Sequence, residues 1–349
     1  MRAAVYLGKD QIEVRDVPDP VATDGDIVVK IHACAVCGSD IRIFHHGNPR
    51  VHPPQIIGHE SSGEVVEVGR DVTKFKVGDR VAIGADVPCG ECEFCEAGIG
   101  NNCQINYALG YQFPGSFAQY ALLNKLTVDL GPIHKIGPSM PYDEAALAEP
   151  LACVLNATEL ANVKLGDTVV IIGAGPIGLM IMPVVRMLGA IKVIVVQRSE
   201  KRLENARSLG ADVAIASSKE DAIARVKEET GGLGADVVFT ANSSPETHRD
   251  AMLMAKNRAR ISLFGGLPAG SSIELDTNII HYKELMVMGA HGSMPRHHRK
   301  AIELIAARRP DIRPYISEHF ALDDIREAFE LTESHSAMRV VVNPWRTDE

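Results

Sequence analysis

The feature that most restricts the fold is a strand-like run at residues 168–172. It passes without a break into Gly173-Ala174-Gly175-Pro176-Ile177-Gly178, and a helical pattern follows at 176–188. G-x-G-x-x-G carries little weight alone, but between a strand and a helix it has a mechanical reading. Gly173 permits the tight turn, Gly175 leaves room for a pyrophosphate, and Gly178 lets the helix pack closely on the strand. The helix that begins at Pro176 offers free N–H groups, from Ile177 onward, and a positive dipole end to phosphates. The bland alternative is a structural glycine turn. Against it, strand-like runs at 192–196, 235–240, 260–264 and 285–288 alternate with helical patterns at 200–209, 219–230 and 245–254. That alternation implies a parallel sheet covered on both faces, an α/β fold. The glycines and Pro183 break the apolar stretch 169–185, so it reads as a buried strand–turn–helix rather than a membrane span.

The second strand bears on which dinucleotide binds. An NAD site usually ends that strand in a carboxylate that holds the ribose hydroxyl. Here it ends in Gln197, then Arg198 and Ser199, with Arg202 one helical turn on. Two guanidiniums can pair with a 2′-phosphate, so the expectation is NADP in preference to NAD. The alternative is that the arginines are solvated charges and Gln197 accepts NAD.

The region ahead of this sheet is β-rich, with short strands at 27–33 and 63–69 separated by Gly and Pro, which suggests a small barrel-like domain. Its connections carry Cys37-Gly38-Ser39-Asp40 and Gly58-His59-Glu60. Cys37, His59 and Glu60 offer sulfur, nitrogen and oxygen, a set that suits a catalytic zinc with one open position. Ser39 sits where its hydroxyl can meet a substrate oxygen, and Asp40 can orient the histidine by accepting its second ring N–H. Taken singly, the three would be a buried thiol, a core histidine and a surface glutamate. A helical pattern at 142–157 contains Ala148-Glu149-Pro150-Leu151. Burying Glu149 is costly without a partner, which a nearby zinc would supply; an exposed glutamate before a kink at Pro150 is the equal alternative.

Four of the seven cysteines, Cys89, Cys92, Cys95 and Cys103, crowd into residues 88–104. Four thiolates at this spacing can close a tetrahedron around a structural zinc. Free thiols and an iron–sulfur cluster are the weaker readings. The N-terminus has no apolar signal core, so metal rather than disulfides is expected, in a soluble cytoplasmic chain. A net charge of −9 over 349 residues argues against a nucleic-acid or membrane-surface binder. The length suggests two domains. After residue 288 come a basic helix at 296–307, a short helix at 323–330 and a final strand at 338–342. This tail is too short for its own core and is expected to pack on the first domain.

With both zinc patterns and the nucleotide loop, the chain resembles the zinc-dependent medium-chain dehydrogenase/reductase family, most closely its sorbitol and polyol dehydrogenase branch. The resemblance implies a Rossmann doubly wound domain at 153–289, flanked by a split GroES-like catalytic domain at 1–152 and 290–349. It also implies that Cys37, His59, Glu60 and Glu149 surround the catalytic metal. Ser39 matches the family's proton-relaying hydroxyl, and Cys89, Cys92, Cys95 and Cys103 match its structural zinc lobe. Gln197 departs from the aspartate of NAD-dependent members. The expected activity is reversible hydride transfer between a secondary alcohol, such as a polyol, sugar alcohol or cyclitol, and NADP, in a homodimer or homotetramer. Rivals are an NAD-dependent enzyme, one for a sugar phosphate or an aminocyclitol, for which His45, His46, Arg50, Arg296, His297 and His298 are candidate cations although each is more simply read as a solvated loop or helix charge, and a non-catalytic dinucleotide-binding protein.

Overall fold

The computed structural model describes residues 1–268 and 270–347. The chain divides into two compact units, Met1–Ala152 with Gly292–Glu349, and Cys153–His291. Among the described residues no helix is long and apolar enough to cross a membrane.

The second unit is a parallel six-stranded sheet. Its order is Val213–Ala216, Lys192–Gln197, Thr168–Ile172, Ala235–Thr240, Ala255–Leu263, Met286–Gly289. Strand order reverses at Thr168–Ile172, which lies between the second and fourth strands in sequence; in such sheets ligands bind at that switch point. The three central strands, Lys192–Gln197, Thr168–Ile172 and Ala235–Thr240, are rich in Val and Ile and largely buried on both faces, as a helix-covered parallel sheet requires. Sequence reading found five strands; the sixth, Val213–Ala216, is an edge strand of four apolar residues, too short for a strand period to register. The helix expected at 219–230 is confined to Ala222–Glu229, because Asp221 caps it by accepting from the Ile223 and Ala224 N–H groups.

In the first unit a seven-stranded sheet is built around Ile27–Ala35, which pairs antiparallel with Glu60–Val68, Tyr120–Leu123 and Arg339–Asn343. The C-terminal tail thus supplies a strand to the sheet of the N-terminal part. A core of Ile27, Val29, Ile31, Val65, Phe117, Phe329 and Val342 lies beneath it. Two helices replace the single one expected at 142–157, Tyr142–Ala146 and Ala148–Leu160. The break at Leu147 starts a new helix in which Pro150 occupies the first turn, where a missing N–H costs nothing, so there is no kink. The tail helix expected at 323–330 is a 3₁₀ turn, Leu322–Asp324, followed by Ile325–Glu333.

Candidate active site and nucleotide loop

Strand register assembles the Cys37 cluster. Ala35 pairs with Glu60, so Cys37 and His59, just beyond the two strand ends, come together. On the other side Val341 pairs with Ala35, and two more residues of that antiparallel register bring Arg339 to Cys37. Gly58 turns the chain into His59 with φ +94, and a Cβ there would strike the Phe117 ring at 2.8 Å. The ligand atoms of Cys37, His59 and Glu60 lie within 4.8 Å of one another.

Asp40 does two jobs. Cys37 is the N-cap of helix Gly38–His46, and Asp40 Oδ2 accepts the Cys37 N–H at 2.9 Å. Its Oδ1 faces His59 Nδ1 at 3.3 Å, which leaves His59 Nε2 directed to Ser39 Oγ, 3.4 Å away. Burial opposes a charged His59, but the Asp40 and Cys37 side chains outweigh it and hold its pKa well above the ordinary range. Glu60 is fully buried, and burial pushes its carboxyl up to about 7 against the pull of Arg339, whose Nη2 lies 3.1 Å from Oε1. Neither Glu60 oxygen has a hydrogen-bond partner of good geometry. Two acceptors with unused lone pairs, beside a thiol and an imidazole nitrogen, are what a buried cation would satisfy; the donor set fits zinc. Glu149 is buried, and burial raises its carboxyl to about 7. It feels the charges of His59 and Cys37 but stands outside the 4.8 Å group.

Cys89, Cys92, Cys95 and Cys103 form a second set within 4.8 Å. The Cys89–Cys95 and Cys92–Cys95 sulfurs are 3.8 and 3.5 Å apart. Zinc–sulfur bonds of about 2.3 Å in a tetrahedron give sulfur separations of about 3.8 Å, so this set also fits. Backbone N–H groups, that of Gln104 first, draw the Cys92 thiol down to about 6.

In the nucleotide loop the three glycines differ as their roles require. A Cβ on Gly173, at φ +119, would meet Ala241 O at 2.6 Å, and one on Gly178 would meet Gly173 O at 1.9 Å, whereas one on Gly175 meets nothing within 4 Å. The loop is a cradle with open space at its centre, and Pro176 and Ile177 begin helix Pro176–Met187 there. These residues fit a dinucleotide. Gln197 ends its strand half-buried, Arg198 and Ser199 are exposed, and Arg202 is half-buried, its pKa lowered by burial.

The remaining candidate cations separate. His45 is held by Asp10 at 2.6 Å and Glu333 at 3.1 Å, while His46 is exposed. His297 and His298 are buried, and burial pushes His298 down to about 3, so neither is a solvated cation as expected. Arg296 lines a cavity of about 290 Å³ beside the cysteine lobe, with Pro88, Cys95 and Leu130. Sequence reasoning missed Arg339 and Tyr111. The signal for Arg339 was a lone charge in the apolar strand Arg339–Asn343; Tyr111 had none.

Residues 23–132 match the alcohol dehydrogenase GroES-like domain, and residues 176–307 the zinc-binding dehydrogenase family. The chain is 35% identical to D-arabitol-phosphate dehydrogenase of Enterococcus avium, over 96% of this chain and 94% of that one. It is 31% identical to sorbitol dehydrogenase of Bacillus subtilis (strain 168), over 99% and 98%. The structure of a zinc-binding dehydrogenase from Sinorhizobium meliloti 1021 bound to NADP superposes with a TM-score of 0.92 at 31% identity, covering 98% of this chain and 99% of that one. With a GroES-like β domain, a Rossmann sheet and both cysteine patterns in place, the chain belongs to the zinc-dependent medium-chain dehydrogenase/reductase family and is an alcohol or polyol dehydrogenase.

Proposed function

We propose that the protein interconverts a secondary alcohol of a polyol, sugar alcohol or cyclitol with its ketone, with NADP as the hydride partner. The observation that carries this reading is the 3.4 Å approach of Ser39 Oγ to His59 Nε2 within the buried Cys37–His59–Glu60 set. A zinc held by Cys37, His59 and Glu60, with Glu149 as the alternative carboxylate, supplies a Lewis acid that lowers the pKa of an alcohol. Ser39 Oγ takes the hydroxyl proton as its own proton passes to the nicotinamide ribose hydroxyl and from there to water. Asp40 keeps His59 in the orientation that frees Nε2, and Arg339 offsets the charge of Glu60. The hydride passes between the carbinol carbon and the nicotinamide.

Gly173, Gly175, Pro176, Ile177 and Gly178 cradle the pyrophosphate, and Gln197, Arg198, Ser199 and Arg202 favour the 2′-phosphate of NADP. Cys89, Cys92, Cys95 and Cys103 hold a second, structural zinc. The same reading takes the protein as a cytoplasmic homodimer or homotetramer.

The test is NADPH formation by zinc-replete protein over a panel of polyols and cyclitols, each repeated with NAD. Higher kcat/KM with NADP at every productive substrate is expected. Higher kcat/KM with NAD throughout would overturn the cofactor assignment, and no turnover of any polyol would overturn the substrate class.

A further inference from the structure

Helix Tyr142–Ala146 has five residues, too few to be stable alone, so what holds it lies outside it. The His32 ring stacks on that of Tyr142, with centroids 4.2 Å apart and planes 5° from parallel. The Arg80 guanidinium also lies over the Tyr142 ring, with Cζ 4.2 Å from the centroid. Two groups that close over one centroid must take opposite faces, so the ring is clamped. Arg80 Nη1 donates to Gly137 O at 2.8 Å and Pro138 O at 2.6 Å, and Nη2 to Met140 O at 2.7 Å, which ties down the loop that enters the helix. Arg50 lies over Tyr111 in a similar way, with Cζ 4.9 Å from the centroid, and Tyr111 borders His59 with centroids 5.9 Å apart. Its Nη2 is taken by Asn106 O and Gln112 Oε1. Both arginines are therefore anchors and not free cations for a ligand.

The three strands that carry the Cys37 cluster all grip this helix. His32 lies on Ile27–Ala35, the strand that runs into Cys37. Ser62, on the strand that begins at Glu60, donates its hydroxyl to Tyr142 O at 2.6 Å. Asn343, on the strand that begins at Arg339, donates through Nδ2 to Asp143 Oδ1 at 2.9 Å and to His32 O at 3.0 Å. His319 and Arg308 pair with Asp143 and Glu144. The helix is thus fixed to the register that assembles the cluster. At its far end the chain breaks at Leu147, and the next helix carries Glu149 in its first turn. Ala145, Ala146, Leu147 and Ala148 are fully buried, so the link between the two helices has no slack. Glu149 stands where the anchored helix puts it, buried and within the field of His59, Cys37, Asp86 and Arg339.

We propose that Tyr142 is the positioning residue for Glu149: its ring, clamped between His32 and Arg80, fixes helix Tyr142–Ala146 on the sheet and so fixes how far the Glu149 carboxylate stands from Cys37, His59 and Glu60. The inference rests on the zinc reading of that cluster and adds what places its alternative carboxylate. Tyr142 acts through Glu149, not on metal or substrate. A ring held between two flat groups has one orientation, whereas an aliphatic side chain of similar bulk fills the space without setting one.

The test measures, by competition with a chelator, the affinity of the full chain for the zinc that is lost in Cys37→Ser. Tyr142→Leu keeps apolar bulk but not the stack, and should weaken that zinc by about 10- to 100-fold, as loss of a group that orients a metal's ligands does. Tyr142→Phe, which keeps the ring, should match the wild type within about twofold. Glu149→Gln should weaken the zinc at least as much as Tyr142→Leu. The double variant Tyr142→Leu/Glu149→Gln should lose no more than Glu149→Gln alone, because both act through one carboxylate. The zinc lost in Cys95→Ser should be held equally by all of them. His32→Leu removes one face of the clamp and carries the same test if Tyr142→Leu does not fold. A loss in Glu149→Gln with none in Tyr142→Leu would overturn the proposal and leave the zinc reading standing. So would additive losses in the double variant, which would make Tyr142 a general packing residue. Unchanged affinity in Glu149→Gln would remove Glu149 from the metal, and the proposal with it. If Cys37→Ser loses no zinc, the zinc reading itself fails.

Discussion

The four-cysteine lobe and the Cys37–His59–Glu60 cluster both gather ligand atoms within 4.8 Å, by opposite routes. The lobe draws all its ligands from one short segment with two helical turns, Glu93–Glu96 and Gly100–Asn102. Local backbone N–H groups favour the Cys92 thiolate, burial opposes that of Cys95, and the turn Glu93–Glu96 buries no residue. The second cluster takes Cys37 from a helix N-cap and His59 and Glu60 from a strand start. Its supporting charges come from Asp40 and from Arg339 in the C-terminal tail. Its side chains are held by pairing and burial before any ligand arrives. The difference teaches that a metal in the lobe would hold structure together, whereas a metal in the cluster would add chemistry to a structure already held.

Two substitutions can break that comparison. Cys37→Ser should lower kcat by at least about 10³-fold while the thermal unfolding midpoint moves little, because the strand register around Cys37 survives. Retained turnover would sink the zinc mechanism, and a collapse in stability would mean that the cluster, too, depends on its ion. Cys95→Ser should do the reverse. Zinc content should fall by about one per chain and the unfolding midpoint by about 5–10 °C, with kcat per folded molecule within about threefold of wild type. An unchanged midpoint would show that the lobe folds without its fourth thiolate.

The same contrast explains what could be read from the sequence. Cys89, Cys92, Cys95 and Cys103 are legible because a local site is encoded by spacing. So is Gly173–Gly178, since Gly178 answers to the Gly173 carbonyl five residues before it and Gly173 to Ala241 just past the neighbouring strand, while Gly175 faces open space. The Cys37 cluster was legible in its ligands and in Asp40 beside His59, but not in Arg339 or Tyr111. Arg339 reaches Glu60 only through the pairing of a tail strand with Ile27–Ala35, and no local pattern encodes that register. Tyr111 approaches His59 through glycine contacts between distant loops. The edge strand Val213–Ala216 is short and half-buried at its start, so its apolar period is too brief to register. The basic reading of His297 and His298 failed because the helix Pro295–Ala306 turns them inward.

That inward turn has the smallest effect, because it places buried His298 against half-buried His134 where, among the described residues, no thiol or carboxylate completes a metal set. His134 Nδ1 and His298 Nδ1 are 2.9 Å apart, with ring centroids 5.2 Å apart. Such a contact needs one nitrogen to donate and the other to accept, so the two rings cannot both be charged. Burial holds His134 down to about 4, with the charge of Arg299 adding to it, and holds His298 down to about 3, so both rings are neutral near pH 7. His59 is the opposite case, where Asp40 favours the charged ring. The folded pKa values lie below the unfolded value of about 6.5, so as pH falls below that point the unfolded chain binds protons that the folded chain refuses. Stability should therefore be intact above about pH 6.5 and fall between there and pH 4. The slope is about 1.4 kcal/mol per pH unit for each ring that stays neutral. Urea unfolding at pH 7, 6 and 5 of the wild type and of the double variant His134→Leu/His298→Met isolates this contribution from the carboxylates and thiols common to both. The variant should lose less stability across that range. Coincident slopes would mean that the pair takes up a proton in the folded state, and that burial in this core does not hold histidine neutral.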